Sequence, residues 1–223
     1  MKIAVYSVTR NKITDTILHK SVYPLDKTFD FYCTEDNTTG LSKRYNLFLS
    51  TKGKEYDYVV FVHDDVFLDD KRMVEKLSRA HKAYDIVGLA GGLNPKITQP
   101  ALWHLMCGGF SGGNLRGAVA HPCSKEQLMV TNFGPSPDRV AILDGLFLSV
   151  DVRRVNSVGW KFNENYDFHH YDIASCIDAN KKQLRLGVAP LWVVHISPGL
   201  LDVNDERFVA SQEKFLSEYS SNK

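Results

Sequence analysis

The sequence predicts one α/β domain in which helices cover a central sheet, and three observations carry that expectation. Apolar runs of strand length recur along the chain with segments of helical spacing between them, the pattern of a layered α/β fold rather than a sandwich or a bundle. Tyr58-Val59-Val60-Phe61-Val62 is unbroken and valine-rich, as befits an interior strand covered on both faces. At 223 residues and 43% apolar composition the chain can bury one sizeable core, so one domain is expected rather than two.

Residues 2–9 read as the first strand, and Arg10-Asn11-Lys12 interrupts it too soon for a secretory signal. A second strand is expected at residues 28–33, before the polar loop at residues 34–40. Leu41, Tyr45, Phe48 and Leu49 share one helical face over residues 41–51, which leads through Lys52-Gly53-Lys54 into the apolar strand. Beyond it Met73, Val74, Leu77, Ala80 and Tyr84 fall at helical spacing, and residues 85–90 return to strand character. Residues 91–137 are dense in glycine and proline and are expected to form loops and short strands over a site. Within residues 141–150 Asp144-Gly145 breaks an apolar run, either as a hairpin turn or where backbone and ligand approach closely. A helix is expected over residues 172–182, and a last strand over residues 186–196, passing through Pro190 and ending in His195. Phe208, Val209, Phe215, Leu216 and Tyr219 mark one face of a carboxyl-terminal helix.

Lys and Arg nearly balance Asp and Glu, leaving a formal charge of +1, so no global field points to nucleic acid or an anionic membrane. No apolar run approaches the roughly 18 residues of a membrane span, and a cytoplasmic protein is expected. Cys33, Cys107, Cys123 and Cys176 are scattered without a CxxC pair, which suits reduced, structural thiols better than a zinc site.

The residues able to carry chemistry stand at strand ends and helix starts. His63-Asp64-Asp65 ends the apolar strand, Phe168-His169-His170-Tyr171-Asp172 precedes a helix, and His195 ends the last strand. Carboxylates and imidazoles drawn from such distant positions suit a mixed oxygen and nitrogen site for Mn²⁺ or Mg²⁺. The same acids also suit a polar loop and helix caps, Asp172 before Ile173 among them. Trp103, beside His104 in the glycine-rich centre, is the expected acceptor-side aromatic, whereas Trp192 lies inside an apolar strand and is expected in the core.

Tyr45-Asn46, Phe61-Val62-His63-Asp64-Asp65-Val66, Leu143-Asp144-Gly145-Leu146-Phe147-Leu148 followed by Arg153-Arg154, Tyr171-Asp172 and His195 together resemble one family. In this order and at these separations they are similar to nucleotide-sugar glycosyltransferases of the GT-A fold, particularly the bacterial glycosyltransferase-like proteins related to family 2. The resemblance covers residues 1–197. It implies a GT-A-like (Rossmann-like) mixed central sheet flanked by helices over residues 1–201, with residues 202–223 as an amphipathic helix packing on the domain or on a partner. It also implies a nucleotide diphosphate sugar donor, a carbohydrate or other hydroxyl acceptor, and Mn²⁺ or Mg²⁺ as the cofactor.

On that resemblance Asp65 matches the last acid of the DXD motif, a metal ligand, and Asp64 its middle position near the ribose or donor sugar. His195 matches a second metal ligand. Asp172 matches the general base that takes the acceptor's proton, which implies an inverting displacement. Asp36, Asn46, Asp144 and Gly145 match donor-binding positions, while His169 and His170 are available as acceptor contacts. Two positions depart from the pattern: His63 stands where the family has an acid, and reads as a strand-capping or supporting residue. Tyr171 stands where it has a glutamate. These departures keep open a non-catalytic nucleotide-sugar or carbohydrate-binding protein of the same fold. A nucleotidyltransferase has less support, because no glycine-rich basic loop follows the first strand.

Overall fold

The strand Tyr58–Val62 divides its side chains between two cores. Val59 and Phe61 pack in one cluster with Tyr45 and Phe48, whereas Val60 and Val62 pack in the other with Met73 and Leu77. Side chains alternate across a strand, so a run with no polar residue requires apolar cover on both faces, and it has it. The structure is a computed structural model and describes residues 1–22, 28–124, 126–197 and 201–220.

In chain order the first half forms β1 (Ile3–Val8), α1 (Ile17–Val22), β2 (Asp30–Thr34), α2 (Leu41–Ser50), β3 (Tyr58–Val62), β4 (Val66–Leu68) and α3 (Met73–Ala80). Then follow β5 (Ile86–Gly88), β6 (Ala90–Gly92), α4 (Trp103–Met106), β7 (Leu115–Pro122), β8 (Leu128–Gly134) and β9 (Asp138–Val140). The last part holds β10 (Ile142–Leu143), β11 (Phe147–Asp151), α5 (Val152–Ser157), α6 (Tyr171–Lys181), β12 (Leu186–Val188), β13 (Val193–His195) and α7 (Glu206–Tyr219).

The main sheet has seven strands in the order β2-β1-β3-β11-β5-β12-β9. It is mixed: β1 runs parallel to β2 and β3, whereas β11 is antiparallel to β3 and β5. A second sheet follows the order β10-β6-β7-β13-β4, with β8 paired to β7. The predicted face of α2 is buried throughout, as are Met73, Leu77 and Ala80 of α3. On α7, Phe208, Phe215 and Tyr219 are buried, and Gln212 Oε1 accepts the Ala101 amide at 2.8 Å, so this helix lies against its own chain. The joint before α7, residues 198–200, and the last residues, 221–223, lie outside the described residues.

Two segments expected as single strands, and a third expected to break at Asp144-Gly145, are divided between the two sheets. Residues 85–90 give β5 in the main sheet and the start of β6 in the second; residues 141–150 give β10 and β11; residues 186–196 give β12 and β13. Asp144-Gly145 is therefore not a hairpin turn but a crossing from one sheet to the other. Pro190 lies between β12 and β13, where its missing N–H costs no ladder bond. Trp192 precedes β13 and is 41% exposed instead of buried, and its backbone amide donates to Asp70 Oδ2 at 2.9 Å. Cys107 and Cys176 are buried, Cys33 is half-buried and Cys123 is exposed beside the β7–β8 hairpin. Among the described residues no helix is long and apolar enough to cross a membrane.

Candidate functional site

The chain changes sheets at the acidic turn, and that change assembles the site. β3 ends at Val62, Asp64 and Asp65 form the turn, and β4 starts at Val66. Because β4 pairs antiparallel with β13, Val66 stands opposite His195, and the Ile196 amide donates to Asp65 O at 2.9 Å. The register brings Asp65 Oδ2 to 3.3 Å from His195 Nε2. Asp64 lines a cleft.

His63 joins this pair. Among the described residues, His63, Asp65 and His195 each offer one ligand atom within 4.8 Å of the others. The site fits a divalent cation on two further observations. Asp65 Oδ1 is buried and accepts no hydrogen bond, an unmet need that a cation would satisfy. Burial also lowers the His63 pKa, which keeps a ring lone pair available at neutral pH. Burial opposes ionisation of Asp65, yet the His195 hydrogen bond and charge outweigh it and hold the carboxyl below its ordinary range. Burial likewise disfavours the charged His195, and Asp65 overcomes it to raise the imidazole. His121 of β7 lies beside His195, with ring centroids 5.6 Å apart.

On the opposite side of His63 stands the first turn of α6. Tyr171 Oη donates to Gly145 O at 2.7 Å and lies 3.0 Å from His63 Nε2. The next residue, Asp172, accepts the Gly145 amide on Oδ2 at 2.9 Å and its neighbour's amide, Ile173 N, on Oδ1 at 2.8 Å. Burial, with Asp144 as a negative neighbour, pushes Asp172 up to about 7. A carboxylate poised there suits proton abstraction near neutral pH. Asp144 in turn accepts the Trp103 indole N–H at 2.7 Å, so the glycine-rich centre is tied to the same place. Trp103 packs edge-on against Phe133 at 5.0 Å, and Phe133 stacks with Phe110, which is 66% exposed.

The large cleft, about 1340 Å³, lies beyond the carboxyl ends of β1, β2 and β3. Thr9, Arg10, Asn37, Asp64, Phe168, His169, Arg207 and Lys214 are among its lining residues. Crevices at strand ends of this kind are the usual ligand sites of open α/β sheets.

The structure therefore brings Asp64, Asp65, Trp103, Asp144, Gly145, Asp172 and His195 to one end of the sheets, and His169 to the cleft. Two sequence candidates lie elsewhere. Asn46 is buried and spent on structure: Oδ1 accepts the Phe162 amide at 2.9 Å, while Nδ2 donates to Phe162 O and Glu164 Oε1, both at 2.9 Å. His170 is buried beneath α7, stacked on Phe215 and bonded through Nδ1 to Ser211 Oγ at 2.8 Å, so it does not face the cleft. Asp36 stands at the edge of the cleft, exposed and paired with Lys12 beside the cleft residue Asn37. His63, read from the sequence as a strand-capping or supporting residue, stands in the ligand group itself, and Tyr171 and His121 are residues that sequence reading did not assign to the site. The signal for the first two was present, since each stands where the resemblance expects an acid.

A family model described as "Glycosyltransferase like family" matches residues 18–219. No curated protein matches the chain. Among solved structures, S. aureus TarS residues 1–349 in complex with UDP-GlcNAc aligns with a TM-score of 0.54 at 11% identity, covering 98% of this chain and 66% of that one. The same TarS fragment with UDP aligns with a TM-score of 0.52 at 11% identity, covering 100% of this chain and 74% of that one. At such identity the likeness is one of fold, and the fold is that of GT-A-like glycosyltransferases.

Proposed function

The chain belongs to the glycosyltransferase-like family, and from that premise we propose that it moves a sugar from a nucleotide diphosphate donor to an acceptor hydroxyl. The observation that carries this reading is Asp172, a carboxyl pushed up to about 7 and one residue from the tyrosine that touches His63 of the His63–Asp65–His195 group. A base joined to a cation site through its neighbouring tyrosine suits a displacement at a sugar carbon, with the acceptor activated on one side and the diphosphate leaving on the other.

The donor is assigned to the large cleft. Its base and ribose fall on the side lined by Thr9 and Asn37, next to Asp36, and its phosphates run toward Asp64 and Asp65. Arg10, Arg207 and Lys214, which line the same cleft, offset phosphate charge. TarS, solved with UDP and with UDP-GlcNAc, supports a nucleotide-sugar donor in this fold. Mn²⁺ or Mg²⁺ held by Asp65 and His195, when bound, stabilises the charge that builds on the departing diphosphate.

Asp172 takes the acceptor's proton, a contribution of about 10²–10⁴ in rate for a well-placed base. Attack from the Asp172 side opposite the leaving group inverts the anomeric configuration. Trp103 and Phe133, together with the exposed Phe110, offer flat apolar faces for an acceptor sugar beside Asp144.

Calorimetry with UDP, GDP, dTDP and CDP, with and without Mn²⁺, on the wild type and Asp65→Ala tests the reading. One nucleotide is expected to bind in a metal-dependent way and to lose that dependence in the variant, and its sugar conjugates then enter transfer assays. If the folded protein binds none of the four, the donor assignment fails and a non-catalytic role takes its place.

A further inference from the structure

We infer that a cavity at the far end of the main sheet binds a phosphate group through Arg153, Arg154 and Arg185. Such a site goes beyond the proposed function and does not rest on it. The cavity, about 480 Å³, is walled by polar and charged residues alone. It lies away from the acidic turn: Asp151, in its wall, pairs with Tyr58 at the start of β3, whereas the turn follows Val62 at that strand's other end. Arg153 and Arg154 stand in the first turn of α5, and Arg185 directly precedes β12. The sequence pair Arg153-Arg154 has no part in the candidate active site.

Asp85 holds two of the three arginines in place. It is buried, and Arg185 donates to both of its oxygens, from Nε to Oδ2 at 3.2 Å and from Nη2 to Oδ1 at 2.8 Å. Burial opposes ionisation of Asp85, and Arg185 outweighs it, which keeps the carboxyl below its ordinary range. Arg154 Nε stands 3.8 Å from Oδ2, within charge attraction but beyond a hydrogen bond. A single carboxylate so placed orients two guanidiniums and neutralises one. The other acid of the wall, Asp151, accepts the Arg154 amide at 2.8 Å and caps α5. His81 adds no charge, because burial pushes its pKa down to about 4. Three guanidiniums therefore face two carboxylates, and the wall carries one positive charge in excess.

Donors exceed acceptors as well. Each guanidinium has five N–H groups. Arg185 spends two on Asp85, while among the described residues the Arg153 and Arg154 side chains donate to no protein acceptor. Guanidinium forks match phosphate oxygens and hold them bidentately. A phosphomonoester brings about −1.5 to −2 charge at pH 7 and three acceptor oxygens, a match for donors converging from two elements. A carboxylate brings one charge and is satisfied by a single fork. The mouth is open, with Arg154 42% and Arg185 58% exposed, so a phosphate on a small molecule and one on a lipid headgroup both reach it.

The test uses the full chain, with inorganic phosphate as the probe and NMR of the arginine Nε–H groups as the readout. Phosphate is expected to shift the Arg153, Arg154 and Arg185 signals together along one saturating curve. Arg153→Gln is expected to weaken that binding roughly tenfold or more, because a charged donor set is lost. Arg153 is exposed and makes no ion pair among the described residues, so its replacement leaves the fold intact. Arg10→Gln, in the large cleft, is expected to leave these shifts unchanged. Two further arms identify the source of the phosphate: glucose 6-phosphate, and phosphatidylcholine vesicles with and without phosphatidic acid. Tighter binding of the sugar phosphate than of inorganic phosphate supports a soluble ligand, and vesicle capture that needs phosphatidic acid and is lost in Arg153→Gln supports a headgroup. Arginine signals that phosphate does not move, or phosphate binding that Arg153→Gln leaves unchanged, would overturn the site. Nucleotide binding is read at the opposite end of the sheet, so a failure here is separable from a failure of the donor reading.

Discussion

The Gly145 amide donates to Asp172 Oδ2 at 2.9 Å, so the crossing between β10 and β11 and the first turn of α6 are joined at one carboxylate. The same glycine has no room for a side chain. A Cβ there would stand 2.5 Å from Tyr171 Oη and 3.0 Å from Asp172 Cβ. Close approach of α6, rather than a turn conformation, is the reason for glycine at this break in the apolar run.

Gly145→Ala must push α6 outward and displace both Tyr171 and Asp172. Overpacking of this kind costs about 1–3 kcal/mol. The expected result is a matching loss in urea unfolding together with at least a tenfold fall in transfer rate, about 1.4 kcal/mol of lost transition-state stabilisation. Full activity in Gly145→Ala would show that the placement of Asp172 is not needed.

The pH dependence follows from Asp172. Burial, then the charge of Asp144, raise it to about 7, and a base works in its ionised form. kcat/KM is therefore expected to rise with pH and level off above about 7. Asp144→Asn removes the negative neighbour, eases ionisation and should move that limb to lower pH, while Asp172→Asn should abolish it. Stability has the opposite sign. The folded pKa lies above the ordinary value of 3.8, so the folded state holds an extra proton between pH 4 and 7, and this group's contribution falls as pH rises through that window. A pH–rate profile without a limb near 7 would remove Asp172 as the base.

Asn46 makes a contrasting case. Its amide closes α2 onto Phe162 and Glu164, so Asn46→Ala leaves the buried Phe162 backbone short of partners. A loss of about 1–3 kcal/mol in chemical denaturation is expected, with nucleotide affinity unchanged. A large change in nucleotide affinity at unchanged stability would return Asn46 to the donor site.

Trp103→Phe keeps a ring but deletes the hydrogen bond to Asp144 Oδ2. The acceptor KM is expected to rise while the donor KM holds, because the indole stands on the Asp144 side and is not among the residues lining the donor cleft. Steady-state kinetics varying each substrate in turn checks this, and a donor-side effect would move Trp103 to the other pocket.

Much of the fold was legible because its causes are local. The all-apolar run of β3, the buried face of α2 and the spacing of Met73, Leu77 and Ala80 are periodic patterns that any window of the chain displays. The acidic turn after β3 was legible too, since polar residues that end such a strand need a purpose. Residues 85–90 and 186–196 misled for a matching reason: periodicity shows that a segment is extended, but not that it leaves one sheet for another partway along. That depends on which edge is free when distant strands pair.

The site divides along the same line. The sequence by itself determined which residue types stand at the strand ends: His63, Asp64 and Asp65, then Asp172, then His195. Only the tertiary structure decided their partners. The β4–β13 register turned Asp65 to His195, α7 buried His170, Phe162 engaged Asn46, and α6 set Tyr171 against His63. A hydrogen bond is fixed by positions a few ångströms apart in space, here between Asn46 and Phe162, 116 positions apart in the chain, and no local pattern encodes that separation.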